Sequence, residues 1–449
     1  MRNPLDRLGL RTREQRAWAM YDWGISGVQT TIAAAIFPFY FAQVIAAHVG
    51  SQAAQGRYAL LNSISIAIVA MIAPILGTLA DYIPVKKRLL GGFTVVGSAF
   101  VAGLYLVQGG QLLLGSILFV GILVASTGAM VFYEALLPHI AGEEEMDRVS
   151  AAGYALGYLG GGLLLALNAA WIVRPDLFGL PSGPDLSPAQ ATLPARLAFL
   201  SVTVWWLLFT VPLMRRVPEP VAKILPDEDV GVNPIRISIR RLYETFRDLR
   251  GYKQAFLMLL AFLLYNDGIA TVQRMAVIYG SETLGLGAGA LIGGLLLAQM
   301  IGVPFTFLFG LMGGWLGTRR AIFVGIASYI VIVTFAFFMQ TATHFFILAG
   351  MVGLVQGGTQ ALSRSLFARL IPRHRSGEFF GFYSVFNKFA GIVGPLIFWA
   401  ALEVFDSSRP AILSVIVLFV AGGILLGRVK VAEGEAAARA AEAEARVVA

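Results

Sequence analysis

The sequence predicts an all-α integral membrane protein, with twelve transmembrane helices built as two pseudo-symmetric six-helix bundles. Three observations carry that prediction. The 449 residues are 57% hydrophobic and only 13% charged, with a mean hydropathy of +0.74, whereas soluble domains carry about 25% charged residues. The chain divides into twelve apolar runs, each near the roughly 20 residues that a helix needs to cross a bilayer. Its second half also repeats features of the first.

The arm 1–16 holds five arginines and no apolar core followed by a small-residue cleavage site, so no cleaved signal peptide is expected. The first bundle, 17–214, opens with a span from about Ala17 that contains YDWGISGVQTT. A second span follows from about Tyr58 to Ala80, then a third and fourth from about Leu89 and Leu112, the fourth ending in FYEALLP. The fifth begins near Ser150 and contains GYALGYLGGG, and the sixth runs from about Leu197 to Leu213. The composition then changes: 215–253 carries nine basic residues, with Pro218, Pro220, Pro226 and Pro234 early and the amphipathic IRISIRRLYETFRDLR late. This reads as a cytoplasmic linker whose last part lies along the membrane surface. The second bundle, 254–428, has spans beginning near Ala255, Ala288, Ala321, Phe345, Phe379 and Ile412. The tail 429–449 is rich in Ala, Glu and Arg and too polar to insert, so it reads as a cytoplasmic helix or as a disordered cytoplasmic segment.

Three segments recur in register. Tyr21 to Gln29 (YDWGISGVQ) matches Tyr265 to Gln273 (YNDGIATVQ) at five of nine positions. Gly77 to Lys87 aligns with Gly310 to Arg320 at a shift of 233, and Phe132 to Pro138 with Leu366 to Pro372 at 234. An even number of spans per half gives both halves the same orientation, related by an axis along the membrane normal. With both termini cytoplasmic, 28 of the 34 Lys and Arg fall on the cytoplasmic side, which leaves Arg57, Arg174, Arg196, Arg274 and Arg409 outside and Lys388 within a span. The opposite orientation inverts this asymmetry and violates the positive-inside rule.

The same distribution removes a nucleic-acid partner: the net charge of +8 sits in membrane-side loops rather than on one binding face. The absence of cysteine excludes disulfides and thiolate chemistry. His48, His139, His344 and His374 lie near loops without metal-ligand spacing, and no GxxxxGK[ST] is present to power a pump. No enzyme, metal or cofactor is expected. The expected partners are a small-molecule substrate, a proton or other ion, and the lipid bilayer, with the chain acting as a monomer.

The segment GTLADYIPVKK at Gly77 resembles the short loop motif between the second and third spans of the major facilitator superfamily, and Gly310 to Arg320 resembles its weaker second copy. More narrowly, YDWGIS, GYALGYLGGG and QGGTQALSRSLFARLIP followed by EFFGFYSVFNKFAGIVGP are similar to the family related to the fungal vacuolar amino-acid effluxer. The resemblance implies alternating access and export of a small polar solute, with a neutral amino acid favoured. The rival readings are another metabolite carried in either direction, or a sensor or scaffold that keeps the fold without transport. Departures stand at Pro84 for a motif glycine, Gly314 for a second acid and Glu134 for an expected Asn.

The expected conformational latch comprises Gly77, Asp81, Lys86, Lys87, Arg319 and Arg320. A carboxylate at Asp81 can hold a basic residue or a helix amino terminus of the opposite half. The candidate substrate site begins with Lys388, nine residues after Phe379 and so about 14 Å into a hydrocarbon core about 30 Å thick. A lone ionisable group at that depth marks function unless it snorkels to the headgroups. Asp267 lies at a similar depth in the seventh span, and the two are expected to pair. Asp22 is expected to be shallower, near Arg11, Arg13 and Arg16. Gln29, Gln273, Gln356, Gln360 and Asn387 are candidates to line a wet cavity or to bond neighbouring helices, and Trp23 to form an apolar wall or simply to pack.

Overall fold

In the computed structural model, residues 9–49, 51–82, 84–220, 252–282, 284–405 and 408–447 are described. Among them, twelve helices are long and apolar enough to cross a membrane. Spans one to six are Arg13–Ile45, Arg57–Tyr82, Lys86–Leu106, Leu112–Ile140, Met146–Val173 and Leu193–Arg216. Spans seven to twelve are Lys253–Ser281, Gly289–Leu316, Thr318–Phe337, Ala342–Arg369, Arg373–Ala401 and Ala411–Arg428. Most of the expected linker, 221–251, lies outside the described residues; Arg215 and Arg216 end span six and 217–220 follow it without helix. No strand occurs among the described residues, because in lipid a helix satisfies every backbone N–H and C=O within itself.

Each half closes on its own contacts. Span one packs on five and six, and span three on four and six; span seven packs on eleven and twelve, and span ten on eight and nine. Between the halves, span two packs on eleven and span five on eight, while four meets eleven and five meets ten. These are the same two pairings exchanged by the internal symmetry. Leu113, Val173, Val331 and Val404 are exposed on the outer surface, where lipid rather than water is the compatible solvent.

Local chemistry sets the helix ends. Thr12 and Gln15 form a reciprocal capping box at the start of span one, which satisfies two donors that the first turn leaves unpaired. Span one then widens into π-helical turns over Val28–Ile36 and Phe41–Ile45. The tail is a helix, Val431–Val447. It lies across the end of the bundle that carries Arg13 and Arg428, hereafter the terminal end, where Arg439 meets Glu143 at 3.1 Å and Glu442 accepts the Arg373 N–H at 2.8 Å. These two contacts tie the tail to both halves.

Span eleven departs from the continuous helix expected around Lys388. It stops at Phe389 and restarts at Val393, with Gly391 at φ +99° between, a conformation that L side chains resist. Both sides of the break are held from span seven. The Asp267 carboxylate accepts the N–H groups of Val393 at 2.8 Å and Gly394 at 3.0 Å, and Arg274 Nη1 donates to the Gly391 carbonyl at 2.7 Å. An anion at the amino terminus of the second segment and a cation just past the carboxy terminus of the first are the favourable placements for the two helix dipoles.

Candidate functional site

The terminal end is shut by contacts between the halves. Asp81, buried at the end of span two, accepts the Gly377 and Glu378 N–H groups at 3.0 and 2.8 Å and pairs with Lys86 at 2.6 Å. Lys86 also donates to Ser376 Oγ at 3.0 Å. One carboxylate thus caps the first turn of span eleven from across the interface. The approach needs two glycines: a Cβ on Gly77 would stand 2.1 Å from the Gly377 carbonyl oxygen. Gly77→Ala is therefore expected to wedge spans two and eleven apart. A cysteine placed at the buried Ser376 in this cysteine-free chain should then react with a maleimide that it resists in the Gly77 parent; equal protection would refute the wedge.

The rest of the expected latch is distributed differently. Lys87 is bound within its own half, its N–H to Glu219 at 2.8 Å and its ammonium to the Val217 carbonyl at 2.9 Å. Arg319 caps the end of span twelve through the Val429 carbonyl at 2.6 Å, and Arg320 is exposed. Both basic residues lie past the end of span eight, where helix carbonyls of their own half are the nearest acceptors. The acid missing at Gly314 is supplied from the other side of the interface. Asp147, in the first turn of span five, accepts from Thr318 Oγ1 at 2.7 Å and from Ser365, and pairs with Arg369 at 3.0 Å. It presses on Gly313, one residue from the vacant position.

Farther in, Asp22 is not interfacial. It is buried, accepts the Tyr133 hydroxyl at 3.0 Å and lies 3.7 Å from Arg364 of span ten. Its depth follows from span one beginning at Arg13, two turns before Tyr21. Arg364 is fully buried. Its Nε and Nη2 bind the Ser150 hydroxyl and carbonyl, both at 3.0 Å, and its guanidinium lies over the rings of Tyr154, Trp18 and Tyr133 at 4.4, 5.0 and 5.6 Å. A desolvated guanidinium needs such partners on both its edge and its face. Glu134, also buried, lies within electrostatic reach of Arg364, Asp22 and Lys388.

Between this cluster and the far end lies a cavity of about 290 Å³ at mid-depth on the line between the halves. The expected residues Gln273, Gln360, Asn387 and Lys388 line it, together with Asn62, Ser65, Thr127, Asn266 and Arg274, which were not singled out as site residues. An amide chain runs along the wall: Gln360 donates to Asn266 at 3.4 Å, and Asn266 to Asn387 at 2.8 Å. Asn266 is the repeat partner of Asp22, and that was the available signal for it. Besides Asp22, four expected residues stand elsewhere. Asp267 is turned away onto the span-eleven backbone, so the expected pair with Lys388 is not formed. Two aligned peptide N–H groups satisfy that carboxylate without bringing a second charge out of water. Trp23 packs against Trp205 and Phe209, outside the cavity wall. Gln29 is exposed four residues before the lining Ala33, and Gln356 is half-buried four residues before Gln360.

Comparison with known proteins agrees with this architecture. Residues 56–439 match the family described as "Vacuole effluxer Atg22 like". The chain is 36% identical over 417 residues, 92% of this chain and 94% of the other, to an uncharacterized MFS-type transporter, YxiO, of Bacillus subtilis. It is 27% identical to autophagy-related protein 22 of Yarrowia lipolytica over 61% of this chain and 48% of that one, so it spans about half the fungal protein. The fold is similar to that of FucP, a major facilitator superfamily transporter in the outward conformation, with a TM-score of 0.66 at 13% identity over 94% of this chain and all of that one. The chain therefore belongs to the Atg22-like vacuole effluxer family, a branch of the major facilitator superfamily of membrane transporters.

Proposed function

We propose that the protein carries a small polar organic solute across the membrane by alternating access, through the mid-depth cavity, with a proton or another ion as coupling partner. The observation that supports this most is the closure of the terminal end. Asp81, Asp147 and the Gly77–Gly377 contact seal the terminal end, while the cavity lies beyond the seal between two halves that can rock about it. The excess of Lys and Arg at that end supports a cytoplasmic orientation for it, in an inner membrane. The family resemblance favours amino acids as cargo and export as direction. The buried carboxylates Asp22 and Glu134 are the groups on which a coupling proton would act.

The orientation has a direct test. In intact cells a cysteine replacing Ser182, in the loop before span six, is expected to react with an impermeant maleimide, and one replacing Glu144, in the loop before span five, only after permeabilisation. The reverse pattern overturns the orientation. Transport itself is tested by counterflow of a bound solute in liposomes, and a purified protein that binds a solute but never exchanges it would refute the proposal.

A further inference from the structure

The cavity carries an unbalanced charge. Among the described residues, Arg274 and Lys388 line it and no Asp or Glu does. The carboxylates nearest in the sequence pattern are committed elsewhere: Asp267 to two backbone amides, Asp22 to Tyr133 and Arg364. Glu134 influences Lys388 electrostatically, yet forms no ion pair with it. Among the described residues, the Lys388 ammonium has no hydrogen-bond or ion-pair partner. Arg274 uses one N–H on Gly391 and is otherwise exposed. Gln273 adds a buried side-chain nitrogen without a partner.

Both cations stand at the break in span eleven, Lys388 on the last turn before it and Arg274 on the carbonyl of Gly391. Holding a cation near the middle of a bilayer, as at Lys388, is costly without counter-charge, and a ligand that carries negative charge relieves that cost only while bound. A zwitterion is poorly served here. Its ammonium would find amide oxygens but no carboxylate, beside two like charges.

We infer that the cavity selects small organic anions, bound through a carboxylate at Lys388 with Arg274 as the second cation, and that an α-ammonium on the solute contributes nothing to affinity. This rests on the cavity being the transport site proposed above, and it narrows the cargo from polar solutes to acids.

The test uses purified full-length protein and matched probes: leucine, leucinamide, which lacks the carboxylate, 4-methylpentanoate, which lacks the ammonium, and succinate and glutamate. Binding is read by thermal shift and by titration calorimetry, and movement by counterflow in liposomes. At least one of the acids should bind, the deaminated acid at least as well as its amino acid, and the amide not measurably. Lys388→Gln should weaken acid binding by about tenfold or more, the size of losing one charge-assisted hydrogen bond, whereas Lys388→Arg should retain it and so exclude misfolding as the cause. The inference is overturned if leucinamide binds as well as any acid, if no acid binds, or if Lys388→Gln binds acids as the parent does. Binding of acids without counterflow would leave this assignment standing and remove the transport reading. Counterflow of an amide or neutral solute, unaffected by Lys388→Gln, would do the opposite.

Discussion

Replacing Arg364 by glutamine is expected to destabilise the protein more than any other single polar change in the interface, and to abolish transport. The substitution leaves Asp22 buried without its cation and empties the space between Trp18, Tyr133 and Tyr154. Breaking a buried pair from one side costs about 3 to 5 kcal/mol, because the remaining charge is stranded. Arg364→Lys should not rescue it, since an ammonium cannot hold both Ser150 atoms in the plane of one fork. Asp22→Asn in the Arg364→Gln background should recover a large part of the stability by removing the stranded carboxylate, while transport stays lost. A thermal-stability cycle over the four proteins decides the matter. Additive losses would mean that Asp22 and Arg364 are not coupled.

Asp81→Asn is expected to move the resting population toward states open at the terminal end with the fold intact. Asn keeps one acceptor for the Gly377 or Glu378 amide but loses the second acceptor and the ion pair with Lys86. A bias of about 1 to 3 kcal/mol, or 5- to 150-fold in the ratio of closed to open, is the scale of such coupling. Spin labels on residues 142 and 373, in the loop after span four and at the start of span eleven, should report a longer distance component in the variant. An unchanged distribution would show that Asp147 and the glycine contact close that end unaided.

Much of this was legible in the sequence, for one physical reason. Lipid forces the backbone into whole-span helices, so apolar runs translate directly into the twelve spans. Asp81 was legible because it sits in a turn of distinctive composition, and Lys388 because a lone charge in an apolar run stands out. Arg364 was not. In QALSRSLFARL it reads as one of two arginines approaching a basic turn, and nothing local reveals that three aromatic rings and Ser150 from spans one, four and five enclose it. The missing counter-ion of Asp22 was the only pointer, and it was obscured by placing Asp22 too close to the surface. Asp147 was hidden in the same way among the acids of GEEEMDR. The break at Gly391 was illegible because glycine is ordinary in membrane helices. What distinguishes this one is Asp267, 124 residues earlier in the chain, waiting with an acceptor for the freed N–H groups.

The two halves also differ in sign where they meet. Asp22, Asp81, Asp147 and Glu134 all come from the first six spans, whereas Arg364, Arg369, Lys388 and the open amides of Gly377 and Glu378 come from the last six. Lys86 of the first half donates to Ser376 across the interface, but the ion pairs between the two bundles run from acids of the first half to arginines of the second. The halves are no longer interchangeable, and two copies of the first half would meet acid to acid. Expressed as separate polypeptides cut within the linker, first and second halves should find each other and reassemble, whereas either half alone should fail to pair with itself. Halves that reassemble only with each other would make the two bundles an obligate heterodimer carried on one chain.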